Sequence, residues 1–130
     1  MTQKRILIVE DDPYIAEELC SLLAHKGFAH THAETLTAAR DALDTQTFDL
    51  VISDLSIPQG NRGFPSLDNG LELLDDLSWK HPVLPVIVVS GSLGSPEVVE
   101  DLKAMKSVVA KIWKPYDSDE LIREVKRALG

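Results

Sequence analysis

Acidic, hydroxyl and basic side chains follow four separate apolar runs of this 130-residue chain. Glu10 and Asp11 follow "RILIV", Asp54 follows "FDLVIS", Ser90 follows "PVIVV" and Lys114 follows "VVAKIW". Carboxylates that share a crevice repel one another unless a cation neutralises them, and Mg²⁺ prefers carboxylate oxygens together with waters. If the ends of these runs converge, they could hold Mg²⁺, or Mn²⁺, and let a carboxylate accept a phosphoryl group.

Three of these residues would have distinct tasks in phosphoryl transfer. Asp54 would attack phosphorus, Ser90 would donate a hydrogen bond to one phosphoryl oxygen, and Lys114 would offset the charge of another. Each also has an ordinary structural explanation: a turn cap for Asp54, a loop hydrogen bond for Ser90 and a solvated surface lysine for Lys114. Because all of them occur at the ends of apolar runs, we favour the functional interpretation.

Short apolar runs alternate with amphipathic segments along the whole chain, which predicts repeated βα units. The five predicted strands are Arg5 to Val9, Phe28 to Thr31, Phe48 to Ser53, Pro85 to Val89 and Val108 to Trp113. Right-handed crossovers between parallel strands place helices on both faces of such a sheet. Ligands of open parallel sheets bind beyond the carboxyl ends of the strands, where the candidate residues would then meet.

Start signals mark several of the predicted helices. Asp12 is suited to cap the first helix with Pro13 at its first position, Ser95-Pro96 opens the fourth, and Asp117 caps the fifth. Between Leu55 and Asn69, two prolines and two glycines predict a loop rather than an element.

Composition and charge exclude several classes of protein. The net charge is -8, from 21 acidic and 13 basic residues, which predicts no direct binding of nucleic acid. Met1 is followed by a polar segment rather than a secretory apolar region, and no apolar run reaches membrane-spanning length. We therefore expect a cytoplasmic protein with no membrane contact. The single Cys20 excludes an internal disulfide.

Four motifs in order, "VEDD", "DLVISDLSIP", "PVIVVSGS" and "KPYDSDEL", make the chain resemble a response-regulator receiver domain of two-component signalling over essentially its full length. The resemblance implies a flavodoxin-like, doubly wound α/β fold: a five-stranded parallel sheet of order 2-1-3-4-5 flanked by five helices. We expect one receiver domain over residues 1–130 with no output domain in this chain. Such a chain is either a single-domain regulator or part of a larger protein.

The resemblance also implies a metal site. Glu10, Asp11 and Asp54 would bind Mg²⁺ or Mn²⁺ with their carboxylates, and Ser56 would add its backbone carbonyl. Asp12 is left out of this set because it is better used as a helix cap.

By the same resemblance Asp54 is the phosphoacceptor, and its phosphodonor is a sensor histidine kinase or a histidine phosphotransfer protein. Ser90 matches the hydroxyl switch, and Lys114 matches the lysine that contacts the phosphoryl group. The Lys114-Pro115 peptide bond is expected to be cis. The domain would not be an enzyme beyond assisting its own phosphorylation and dephosphorylation.

Two positions depart from the family pattern. Lys111 stands where the family usually has an aromatic residue that moves with the hydroxyl switch, and Trp113 could take part of that role. We place both near an output face formed by helix 4, strand 5 and helix 5, which would bind an unknown downstream protein or form a phosphorylation-dependent homodimer. The loop after Asp54 is also longer than usual, and it either shields the acyl phosphate, selects a partner or is a tolerated insertion.

Other functions fit the pattern less well. A Mg²⁺-dependent phosphohydrolase of the haloacid-dehalogenase type also uses an Asp nucleophile after a strand, but it needs a second Asp two residues later, where this chain has Ser56. A flavin-binding domain needs a phosphate-cradling loop where this chain has "EDDP". His30 and His32 point to one face of a strand and suggest a metal, but without a nearby third ligand we expect a solvated sheet edge.

Overall fold

The computed structural model describes residues 3–91 and 96–130, and its core is one five-stranded parallel sheet of order β2-β1-β3-β4-β5. The strands are β1 (Arg5–Val9), β2 (Ala29–Ala33), β3 (Leu50–Ser53), β4 (Val86–Ser90) and β5 (Val108–Trp113). This order and this pairing confirm the predicted fold class.

In the described part of the chain, five helices alternate with the strands. They are α1 (Pro13–His25), α2 (Leu36–Thr45), α3 (Leu67–Lys80), α4 (Pro96–Lys103) and α5 (Ser118–Leu129). Helices α1 and α5 contribute to one apolar cluster, and α2, α3 and α4 contribute to another on the opposite face of the sheet. The fold is therefore a three-layer sandwich with the sheet in the middle.

The central strands are apolar throughout because both of their faces are covered. In β1, Ile6 and Ile8 pack on the α1 and α5 side, whereas Leu7 and Val9 pack on the other side. Every residue of β3 and of β4 is buried. This burial explains why these strands appear in the sequence as continuous apolar runs instead of alternating ones.

The predicted helix starts agree with the structure where it describes them. The side chain of Asp12 accepts hydrogen bonds from the backbone of Tyr14 and Ile15, with Pro13 opening α1. The side chain of Asp117 accepts from Asp119 at the start of α5. Ser95, the predicted cap of α4, lies outside the described residues.

Several predicted boundaries are displaced by one to three residues. β2 extends to Ala33, β3 begins at Leu50, and β4 runs from Val86 to Ser90. The predicted loop is too long, because α3 begins at Leu67, where the Ser66 side chain accepts a hydrogen bond from the backbone of Asp68. Displacements of this size are usual where an element ends.

The Lys114-Pro115 peptide bond is cis, as predicted. Among the helices of the described residues, none combines the length and the apolar character needed to cross a membrane.

Candidate functional site

The candidate acidic residues meet because β1 and β3 are neighbours in the sheet. Beyond the end of β1, the Glu10 N–H donates to the Ala33 carbonyl at 3.0 Å. Beyond the end of β3, the Asp54 N–H donates to the Val9 carbonyl at 2.9 Å. These bonds continue the ladder by one residue, so they hold the backbone of both acidic residues at the same edge of the sheet.

Glu10, Asp11 and Asp54 form a compact carboxylate cluster. One oxygen from each lies within 4.8 Å of the others. Glu10 is 2% exposed and Asp54 is 8% exposed, whereas Asp11 is half-buried. The cluster is therefore a pocket open on the Asp11 side, with two of its three carboxylates shielded from water.

The Lys114 side chain reaches into this cluster from the end of β5. Its Nζ donates to Glu10 Oε1 at 2.5 Å and to Asp54 Oδ2 at 2.6 Å. The Lys114 backbone N–H donates to the Ser90 carbonyl at 3.1 Å, which ties this residue to the end of β4. One ammonium group thus bridges the carboxylates contributed by two different strands.

Burial and charge act against each other on these groups. Burial raises the pKa of Glu10 above its usual value, and the hydrogen bond from Lys114 only partly offsets this effect. Burial would lower the pKa of Lys114, but the hydrogen bonds to Asp54 and Glu10 outweigh it and raise that pKa. Lys114 is therefore firmly protonated, and it is the cation that the buried carboxylates require.

The donor set suits a hard divalent cation. Three carboxylates face a single ammonium group, so the pocket keeps an excess of negative charge even with Lys114 in place. Carboxylate oxygens are the ligands that Mg²⁺ prefers, and Mg²⁺ usually keeps several waters beside one or two carboxylates. The residues present therefore fit the predicted metal.

Ser56 and Ser90 lie beside the same pocket. The Ser56 N–H donates to Asp54 Oδ1 at 3.1 Å, the carboxylate oxygen that Lys114 does not contact, and so helps to orient the carboxylate. Ser90 is the last residue of β4, pairs with Trp113 of β5 and is 1% exposed. The structure thus places Lys114 in the carboxylate cluster, Ser56 next to it through its N–H, and Ser90 at the end of the strand beside β3.

Asp12 and His32 contact the site without joining the carboxylate cluster. The Asp12 N–H donates to Glu10 Oε2 at 3.1 Å, while the Asp12 side chain caps α1 as predicted. His32 Nε2 lies 2.7 Å from the Glu10 carbonyl oxygen. His30 is exposed on the edge strand, but His32 is half-buried, so the expectation of a solvated edge holds only for His30. Nothing local in the sequence indicated the His32 contact, which depends on the pairing of β1 with β2.

Lys111 and Trp113 lie on the exposed side of the edge strand β5, apart from the carboxylate cluster. Lys111 is exposed, Trp113 is 53% exposed, and Val109 on the same side of the strand is 51% exposed. Ala110 and Ile112 alternate with them and pack into the core. The alternation leaves a partly apolar strip of β5 exposed to solvent.

The long loop after Asp54 is anchored at its base and exposed at its tip. Ile57 and Ser66 pair across it, and the carbonyls of Pro58 and Gln59 accept the N–H groups of Leu36 and Thr37 at the start of α2. At its tip, Phe64 is 89% exposed. The loop therefore satisfies helix donors that would otherwise lack a partner in the helix.

Comparisons with known proteins agree with this geometry. The family profile of the response regulator receiver domain matches residues 6–126. Among solved structures, a CheY-like receiver domain protein from Methanospirillum hungatei superimposes with a TM-score of 0.86 at 26% identity, covering 98% of this chain and 94% of that one.

The curated relatives are longer regulatory proteins. The nitrogen assimilation regulatory protein NtrX of Azorhizobium caulinodans is 32% identical over 124 residues, which cover 95% of this chain and 26% of NtrX. The transcriptional regulatory protein FixJ of Bradyrhizobium diazoefficiens is 29% identical over 128 residues, which cover 98% of this chain and 58% of FixJ. The present chain thus spans between a quarter and three fifths of the length of these relatives.

Proposed function

Because the chain belongs to the response-regulator receiver domains of two-component signalling, we propose that it is a switch whose Asp54 accepts a phosphoryl group. The phosphodonor would be a sensor histidine kinase or a histidine phosphotransfer protein. The observation that carries the proposal is the bridge from Lys114 Nζ to Asp54 and Glu10, within a cluster that also contains Asp11.

Glu10, Asp11 and Asp54 would hold Mg²⁺ or Mn²⁺ through their carboxylates, with Ser56 adding its backbone carbonyl. When bound, the ion would neutralise the excess carboxylate charge and polarise the phosphoryl oxygens. This assignment rests on the oxygen-rich donor set and on its negative charge.

In the transfer itself, one Asp54 carboxylate oxygen attacks the phosphorus of the donor. The bond between phosphorus and the donor's leaving group breaks as the acyl phosphate bond forms, and the leaving group takes a proton from solvent. Lys114, already within hydrogen-bond distance of Asp54, would stay beside the phosphoryl oxygens and stabilise the charge that develops on them. The Ser56 N–H holds the carboxylate at its other oxygen.

The Ser90 hydroxyl would move towards the new phosphoryl group and donate a hydrogen bond to one of its oxygens, since Ser90 ends the strand next to β3. The hydrogen bond from the Lys114 N–H to the Ser90 carbonyl would transmit this movement to the end of β5. The proposed output face comprises α4, β5 and α5 with Lys111 and Trp113, and it would bind a downstream protein or a second phosphorylated copy. A cytoplasmic location belongs to the same proposal.

Turnover of external phosphate esters is not part of the proposal. Ser56 lacks the carboxyl group that a haloacid-dehalogenase hydrolase needs as its general acid two residues after the nucleophile. The curated relatives are named as regulators rather than as hydrolases.

The direct test uses acetyl phosphate as a small phosphodonor and intact-mass spectrometry as the readout. The wild-type protein should gain the mass of one phosphoryl group when Mg²⁺ or Mn²⁺ is present, because the clustered carboxylates otherwise repel the donor. Removal of the metal with a chelator should suppress the gain, and re-addition of Mg²⁺ should restore it. Labelling that is equally fast with and without a divalent ion would contradict the metal assignment.

Beryllofluoride with Mg²⁺ tests the output face, because it mimics the phosphoryl group. Amide resonances at Ser90 and along α4 and β5 should shift more than those of α1, since Ser90 and Lys114 are joined through the backbone. Two-dimensional NMR of the labelled protein measures both regions at once. Changes confined to the loop after Asp54 would refute this output face and favour the loop in its place.

A further inference from the structure

The start of α3 presses directly against the backbone that follows Asp54. A Cβ atom on Gly70 would lie 2.0 Å from the Leu55 carbonyl oxygen and 2.4 Å from the Leu55 Cα. Real Cβ atoms do not approach other atoms this closely, and the atoms in question belong to backbone. Only glycine allows the helix to lie at this distance from the residue next to Asp54.

Neither side of this contact can move away freely. On the α3 side, Leu73 and Leu77 are fully buried and hold the helix in the core. On the other side, Leu55 is fully buried, and the Asp54 N–H is bonded to the Val9 carbonyl. Displacing either element would disturb a close-packed interior.

Two further contacts join α3 to the same segment. The Asn69 side chain donates from Nδ2 to the Ile57 carbonyl at 2.9 Å. Ser66, the N-cap of α3, exchanges backbone hydrogen bonds with Ile57 at 3.0 and 3.4 Å. The start of α3 therefore contacts the backbone at Leu55 and at Ile57, on either side of Ser56. The contacting residues of α3 and its cap are Ser66, Asn69 and Gly70.

We infer that Ser66, Asn69 and Gly70, here named the α3 clamp, position Asp54 for phosphoryl transfer. The clamp sets the backbone of residues 54–57, and the Ser56 N–H within that segment orients Asp54 Oδ1. The inference rests on the proposed function, since it assigns Asn69 and Gly70 as positioning residues for that reaction. Both residues act on the backbone of Leu55 and Ile57, whereas the Asp54 carboxylate itself is bonded to Lys114 and to the Ser56 N–H.

The clamp also explains how a long loop is accommodated beside the site. The Ile57 and Ser66 pair closes the base of the loop, so residues 58–65 lie beyond the gripped segment. Changes at the tip should therefore leave Asp54 in place, which supplies matched control variants.

Gly70→Ala tests the close contact, with Gly60→Ala as its control. A Cβ atom on Gly60 would meet only Thr37 Oγ1, at 4.0 Å. With acetyl phosphate and Mg²⁺ both saturating, Gly70→Ala should lower the labelling rate per folded molecule about 10²-fold, the effect of misplacing a reacting group by about 1 Å. Gly60→Ala should label at the wild-type rate.

Asn69→Ala and Asn69→Asp form the second pair of tests, because Gly70→Ala could prevent folding. Alanine removes the amide donor, and an ionised aspartate offers only acceptors to the Ile57 carbonyl. Both variants should be phosphorylated about tenfold more slowly at saturating acetyl phosphate. The acetyl phosphate concentration that gives the half-maximal rate should not change. Asn61→Ala, at an exposed loop position, is the control.

Urea unfolding of each variant gives the folded fraction to which the rates are normalised, and NMR follows the Ser56 amide. The clamp predicts a shifted Ser56 resonance in both Asn69 variants, which a loss of global stability alone would not produce. The clamp would be overturned if the wild type were phosphorylated and the Asn69 variants matched it both in rate and in the Ser56 resonance. That result would leave the proposed function unaffected. Absence of labelling in the wild type would overturn both.

Discussion

Asp54→Asn should abolish phosphorylation by acetyl phosphate in the presence of Mg²⁺, with no mass gain in the time that fully labels the wild type. The amide has nearly the shape of the carboxylate, and its oxygen can still accept the hydrogen bond from the Ser56 N–H. It lacks the charged oxygen that attacks phosphorus. The variant should stay folded, because Lys114 keeps its second partner, Glu10.

Asp49→Asn is the matched control, since Asp49 precedes the same strand at the opposite edge of the sheet. Its side chain accepts a hydrogen bond from the Arg5 backbone at 2.8 Å, a role that asparagine can retain. The control should be labelled at the wild-type rate. If Asp54→Asn gained a phosphoryl group as the wild type does, Asp54 would not be the acceptor.

Lys114→Met should have the second largest effect, on both stability and phosphorylation. Methionine keeps an unbranched, apolar stem but removes the ammonium group that bridges Glu10 and Asp54. Breaking a buried ion pair by removing one partner costs about 3–5 kcal/mol in free energy of unfolding. Loss of a charge aimed at the phosphoryl oxygens should slow labelling about 10²–10³-fold.

The pH dependence of this variant identifies the cause of its instability. Burial already raises the pKa of Glu10, and removing Lys114 raises it further, because that hydrogen bond favours the carboxylate. Glu10 then binds its proton more tightly in the folded than in the unfolded protein, so stability is gained as the pH falls through the raised pKa towards the pKa of the unfolded chain. The deficit relative to the wild type should therefore shrink on mild acidification, as measured by urea unfolding.

Lys126→Met provides the comparison, because Lys126 is exposed on α5. Its free energy of unfolding should change by less than about 0.5 kcal/mol, as is usual for surface positions. Added Mg²⁺ should stabilise both variants, since a cation that binds only the folded state stabilises it, but it should stabilise Lys114→Met more, because no ammonium group offsets the carboxylate charge there. A Lys114→Met protein as stable as the wild type would refute the role of the bridge.

Local patterns in the sequence determined most of what positions the site. β1 and β5 have the predicted bounds, because short β-branched apolar runs bounded by polar residues indicate strands without any knowledge of their neighbours. Asp12 and Asp117 cap their helices as predicted, since capping involves only residues within one turn. The convergence of Glu10, Asp11, Asp54 and Lys114 then followed from parallel topology, which brings the carboxyl ends of strands to one edge.

Only the tertiary structure decided the contacts that join distant segments. Only the position of the Lys114 ammonium in the folded protein shows that it bonds to Glu10 as well as to Asp54. His32 reaches the Glu10 carbonyl through the register of β1 with β2, a pairing that no local pattern encodes. Gly70 looks in the sequence like an ordinary, mildly unfavourable helix residue, yet the packing of α3 on Leu55 leaves no room for a side chain there. Such contacts depend on distances between elements, and the periodicity of a single chain segment carries no information about those distances.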